Sequence, residues 1–119
     1  MDVINIKSKF KLINEHWSPK IISSLNGQDV KIAKIRGEFI WHSHKDADEL
    51  FMVIKGSLKM AFRDHTQIIK EGEIIVVPKG VEHKPIAEEE VHILMFEPVG
   101  TVNTGEIVDK RTVEDIERI

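Results

Sequence analysis

Cysteine and tyrosine are both missing from the chain. Without thiols there is no disulfide, no thiolate metal site and no cysteine nucleophile, so any metal must be held by nitrogen and oxygen ligands. No apolar run reaches the ~18 residues of a membrane-spanning helix. The opening MDVINIKSKFKLINEHW also lacks the unbroken apolar core of a signal peptide, so the sequence predicts a cytoplasmic protein with no membrane partner. A basic block is lacking too: 17 basic and 20 acidic residues are mixed along the chain, for a formal net charge of −3. Nothing in that pattern would track a phosphate backbone, and nucleic acid is not an expected partner.

What is present suits one soluble domain. The 119 residues are 41% hydrophobic and 31% charged, enough to bury roughly two-thirds of the unfolded surface in a single core spanning 1–119. In HWSPKIISSLNG, Ser18 is a good N-cap, Pro19 suits a first helical position and Asn26-Gly27 a stop, predicting a short lead-in helix. Trp17 and Ile22 fall at the positions of a hydrophobic staple.

From Val30 to Pro98 the chain becomes short β-branched or aromatic runs separated by Gly, Pro, Asp and charged turns. This predicts an all-β sandwich or barrel core over about 30–98. Strands are expected near 30–36, 38–44, 49–55, 57–63, 66–70, 73–77, 82–87 and 91–97, with the acidic run Glu88–Glu90 as a solvated turn. Leu50–Ile54 is apolar on both faces and needs cover from a barrel interior on one side and a second sheet or subunit on the other. Gly56, Gly72 and Gly80 stand where strands meet and a positive φ is needed. After Pro98 the chain reads as a tail or clasp, with Thr112 capping a brief C-terminal helix.

The chemistry concentrates in FIWHSHKDADELFMVIKG, residues 39–56. In an extended strand His42 and His44 would lean to one side, into solvent, core or a metal, while Trp41 points the other way. Glu49 opens the next apolar run, a tight turn through 45–48 could fold it back, and His83 follows the Pro78–Gly80 turn.

These residues carry a resemblance. Gly37, then His42-x-His44, four residues, Glu49, six residues and Gly56 resemble the first motif of the cupin superfamily; Gly72, Pro78, Gly80 and His83 resemble the second. Two departures stand out: four rather than five residues separate Gly37 from His42, and Ala87 occupies the place of a frequent Asn. HWSPK, EFIWHSHKDADELF and FEPVGTVNTGE are similar to small single-domain bacterial cupins labelled mannose-6-phosphate isomerase-like, a label of fold kinship.

The resemblance implies a cupin double-stranded β-helix, a jelly-roll barrel with short N- and C-terminal helical segments. It implies a divalent transition metal (Mn, Fe, Ni, Co, Cu or Zn) on His42, His44, Glu49 and His83, a set suited to such ions. Phe51 and Val53 share the face of Glu49 and, with Met60, Phe62 and His92, are expected to wall a substrate pocket. No further carboxylate is placed securely inside by the pattern, leaving the metal, Glu49 or a bound water as the base. The functional expectation is a metal-dependent oxygenase or isomerase acting on a small oxygenated metabolite, against a non-catalytic cupin that binds or senses a small molecule. A homodimer is expected from the doubly apolar strand and Trp41.

Overall fold

A computed structural model describes all 119 residues, 1–119. One short helix, α1 (Ile6–Phe10), precedes seven strands: β1 (Lys20–Leu25), β2 (Gln28–Glu38), β3 (Glu49–Lys55), β4 (Ser57–Phe62), β5 (Thr66–Lys70), β6 (Ile74–Val77) and β7 (His83–Pro98). All pairings are antiparallel. The hydrogen-bonded order is β1-β2-β7-β3-β6, and β4 joins β7 to β5. The fold is the all-β jelly roll expected of the cupin motifs.

The long β7 makes the barrel close. Its first part pairs with β4, Phe62 opposite His83 and Lys59 opposite Ile86. Its second part lies between β2 and β3, with Met95 opposite both Lys31 and Phe51. One strand therefore replaces the two expected at 82–87 and 91–97. Glu88–Glu90 are exposed residues within it rather than a turn. They are accommodated by a register shift, since Ile35 faces Val91 whereas Gly37 faces Ala87, and such extra residues bend a strand around a barrel corner.

Alternation along the strands sorts two cores. Ala33, Ile35, Phe51, Val53, Leu58, Met60, Val91, Ile93 and Met95 pack inside the barrel. Phe10, Ile13, Ile22 and Ile32 form a second cluster, against which Ile54 and Leu94 pack. The outer face of Leu50–Ile54 is thus covered, at Ile54, by the cluster to which α1 contributes Phe10. Gly56, in the β3–β4 hairpin, has φ 92°, and a Cβ there would stand 3.2 Å from the Glu90 carbonyl oxygen; both the turn and the close approach call for glycine.

The termini depart from expectation. Residues 20–25 are a strand, not a lead-in helix. Asn26 and Gly27 have φ 49° and 73°, and Leu25 pairs with Gln28, so Asn-Gly forms a two-residue hairpin turn whose twist matches that of the flanking strands. Trp17 does not staple a helix: it stacks on Phe39 at 4.7 Å and donates from Nε1 to the Arg36 carbonyl at 2.8 Å. The helix lies upstream, where Asn5 Oδ1 accepts from Ser8 N at 2.9 Å. No helix follows Thr112. The C-terminal chain is a clasp: Ile21 N donates to Glu117 O at 2.9 Å, and Ile119 N to Ile21 O at 3.0 Å. No helix is long and apolar enough to cross a membrane.

Candidate metal centre

Residues 39–48 leave the β-ladder and run across the barrel. The expected strand at 38–44 is instead an irregular segment held at single points. His42 N donates to His83 O at 3.1 Å, His83 N to His42 O at 2.9 Å and Gly80 N to His44 O at 2.8 Å. The two sequence motifs are stitched together by these bonds, so the convergence of His42 and His44 survives without strand pairing. Asp48 Oδ1 accepts from Lys79 N at 2.9 Å and so fastens the turn. On the far side, a Cβ on Gly105 would collide with the Ser43 carbonyl, so the C-terminal clasp also presses on this segment.

His42, His44, Glu49 and His83 are all buried, and each offers a ligand atom within 4.8 Å of the others. His42 Nδ1 donates to Ile40 O and His83 Nδ1 to Val81 O, both at 2.9 Å. A carbonyl can only accept, so both rings carry their proton on Nδ1 and leave Nε2 as a lone pair. The Nε2 atoms of His44 and His83 stand 3.4 Å from Glu49 Oε2 and Oε1. Yet His44 Nε2, His83 Nε2 and Glu49 Oε1 are buried without a hydrogen-bond partner. Buried polar atoms seldom go unpaired, and four convergent nitrogen and oxygen donors fit a divalent transition ion.

The electrostatics agree with that fit. Burial, with His83 nearby, lowers the His42 pKa to about 4, so this imidazole is neutral and ready to coordinate at neutral pH. Burial pushes the Glu49 carboxyl up, but Glu97, His44 and His83 together hold it well below the ordinary carboxylate value.

Glu97 is the residue that sequence reasoning missed. It is 2% exposed and lines, with His42, Glu49, Phe51 and Met95, a small cavity of about 40 Å³. Its Oε1 accepts from the fully buried Lys31 Nζ at 2.8 Å, while Oε2 has no partner. Burial and the Glu49 carboxylate push its pKa well above the usual value, with Lys31 opposing. The signal was available: Ile93, Met95 and Glu97 alternate onto one face, as do Lys31, Ala33 and Ile35.

Of the expected pocket wall, Phe51 lines this cavity and meets His83 edge-on at 6.2 Å between ring centroids. Val53 and Met60 are fully buried core residues away from the cavity lining. Phe62 stacks on His65 at 4.9 Å and packs on the core from its rim. His92 faces outward, stacked on Phe10 at 4.5 Å, because its neighbours Val91 and Ile93 take the inward positions of β7. Trp41 points away from the centre as expected, with the Arg63 guanidinium 3.9 Å above its ring.

Known proteins share this architecture. Uncharacterized protein YdbB of Bacillus subtilis (strain 168) is 41% identical over 64 residues, 53% of this chain and 57% of that protein. Auxin-binding protein ABP20 of Prunus persica is 30% identical over 90 residues, 68% of this chain and 42% of its own length. The chain thus spans about half the length of these curated relatives. Two solved structures cover more. A cupin-2 domain containing protein from Shewanella frigidimarina NCIMB 400 is 51% identical, with TM-score 0.80 over 81% of this chain and 94% of that one. Protein NMB1881 from Neisseria meningitidis is 33% identical, with TM-score 0.76 over 82% and 99%. The family described as the cupin domain matches residues 29–97, from the start of β2 to Glu97. With that match covering more than half its residues, the chain belongs to the cupin family.

Proposed function

We propose that this cupin is a metal-dependent enzyme of oxygenase or isomerase type, acting on a small oxygenated metabolite. The observation that carries the reading is the set of unpartnered buried donors, His44 Nε2, His83 Nε2 and Glu49 Oε1, beside a largely apolar cavity that Glu49 and His42 line. A divalent ion held there carries a net charge of about plus one with its ligands, and supplies Lewis acidity toward anionic or enolisable oxygens.

The chain's own residues shape the rest. Ile40 and Val81 carbonyls fix the tautomers of His42 and His83. Phe39, Phe51, Ile93 and Met95 exclude water from the cavity. Glu97, buried beside Glu49 and tethered by Lys31, can hold or accept a proton at Oε2; it replaces the bound water as the nearest candidate base. A cavity of about 40 Å³ admits only a few water-sized groups, which favours insertion of one small oxygenated end of a substrate.

Elemental analysis of protein purified without added metal tests the metal, and oxygen uptake with enolic or phenolic compounds then tests the reaction. Stoichiometric metal with turnover is the expected result. Tight ligand binding without turnover would support the non-catalytic reading instead. The mannose-6-phosphate isomerase-like subtype belongs to this proposal as kinship only. So do the cytoplasmic location and the homodimer, the latter supported by exposed Ile68, Ile74 and Val76 on β5 and β6; a monomeric mass by light scattering would overturn it.

A further inference from the structure

The outer face of the strands that line the metal cavity carries a second concavity. Lys34 lies between the inward Ala33 and Ile35, and His92 between the inward Val91 and Ile93, so both point out of the barrel. Lys34 and Lys55 are the cross-strand neighbours of His92 on its two sides. Above them, α1 brings Lys7 and, at its C-cap, Lys11. Together these residues line an open groove of about 520 Å³, a volume within the range of small-molecule sites.

Most of the positive charge in this groove is uncompensated. Lys20, Lys31, Lys45, Lys59 and Lys84 each have a carboxylate within 4.0 Å. None of the four lysines lining the groove does, but Lys34 Nζ is taken up by the Ile13 carbonyl at 2.9 Å and its charge acts on Glu90; Glu71 is the one acidic group in the lining. Glu90, which borders it, is already engaged by His16 at 2.7 Å and His92 at 3.1 Å. Three ammonium groups, those of Lys7, Lys11 and Lys55, are thus left without a protein partner beside one free carboxylate, on a chain whose net charge is −3. Like charges gathered around one groove repel, and a bound anion would relieve the repulsion.

We propose that this groove is a binding site for a small phosphorylated molecule, held by Lys7, Lys11 and Lys55. The three lysines come from α1, its C-cap and the end of β3. That arrangement suits a compact tetrahedral anion with oxygens in several directions better than a planar carboxylate, and lysine engages phosphate as a point charge. Ile54 and the His92 ring offer an apolar margin for the organic part of the ligand. The groove and the metal cluster lie on opposite faces of β2 and β7, so the site stands independently of the metal reading.

Calorimetric titration of the full chain with inorganic pyrophosphate at fixed ionic strength tests this. Saturable binding is expected, weakened at least about tenfold by Lys11→Ala with Lys55→Ala. It should be unchanged by Lys79→Ala with Lys110→Ala, two lysines without carboxylate partners outside the groove, and by His42→Ala with His44→Ala. Three results would overturn the proposal: no saturable binding, equal weakening by the Lys79 and Lys110 changes, or loss confined to the histidine variant, which would place the anion on the metal centre.

Discussion

Strands β2 and β7 present one surface to the barrel interior and another to the lysine groove, and the two treat charge in opposite ways. Inside, Lys31 and Glu97 are 1% and 2% exposed and held at 2.8 Å. Three ligand atoms beside them lack any protein partner. Outside, Lys7, Lys11 and Lys55 stay unpaired at a groove in contact with water. The inner donors are costly to leave unpaired and are fixed in place, whereas the outer amines are solvated and adjustable. Burial thus turns a similar inventory of charged residues into a rigid centre on one face and an accommodating one on the other.

The largest test of that contrast is removal of the inner donors. His42→Ala with His44→Ala should abolish metal content measured by elemental analysis while circular dichroism keeps its β signature; retained stoichiometric metal would refute the assignment. Next comes the buried pair. Glu97→Leu leaves Lys31 buried beside only the Thr101 carbonyl, 3.1 Å away, and should cost about 3–5 kcal/mol in urea unfolding. Adding Lys31→Met should restore much of the loss, and strictly additive costs would show that the pair is not a unit.

A third test uses pH. In the metal-free protein His42 has a pKa of about 4 against an ordinary 6.5. The unfolded chain therefore binds the extra proton first, so His42 lowers stability as pH falls from about 6.5 toward 4, by about 3 kcal/mol in total. An NMR titration of its ring protons should show the low midpoint, and a midpoint near 6.5 would contradict the burial argument. The smallest effect belongs to the outer face: Lys11→Ala with Lys55→Ala should change stability by no more than about 0.5 kcal/mol. A larger loss would mean that these amines serve the fold rather than a ligand.

The candidate metal centre was largely legible because His42, His44, Glu49 and His83 sit in two short motifs that resemble those of the cupins, and the fold brings the four together. The pocket wall was less so. Val53 and Met60 were sorted to the correct inner face, but a small barrel has more inward positions than cavity, and most are filled by packing. His92 was assigned to the wrong face because its own alternation with Leu94 and Phe96 is as apolar as that of Val91, Ile93 and Met95. Cover by Phe10 from α1 partly buries the outer face of β7 as well, so alternation in apolar character does not tell its two faces apart. The Asn26-Gly27 turn was misread for a different reason: the same dipeptide ends helices and reverses hairpins, and the pairing of β1 with β2 decides between them.

By itself the sequence determined the all-β class, the positions of most barrel strands and the nitrogen and oxygen character of any metal site, all from residue chemistry and local periodicity; its resemblance to the cupin motifs singled out the four candidate ligands. Tertiary structure alone decided that Glu97 and Lys31 join the centre, that the C-terminal chain clasps Ser43 and β1, and that Lys7, Lys11, Lys34 and Lys55 meet in one groove. Each of those depends on contacts between segments far apart in the chain, where register and closure of the barrel, not local preference, set which side chains share a space.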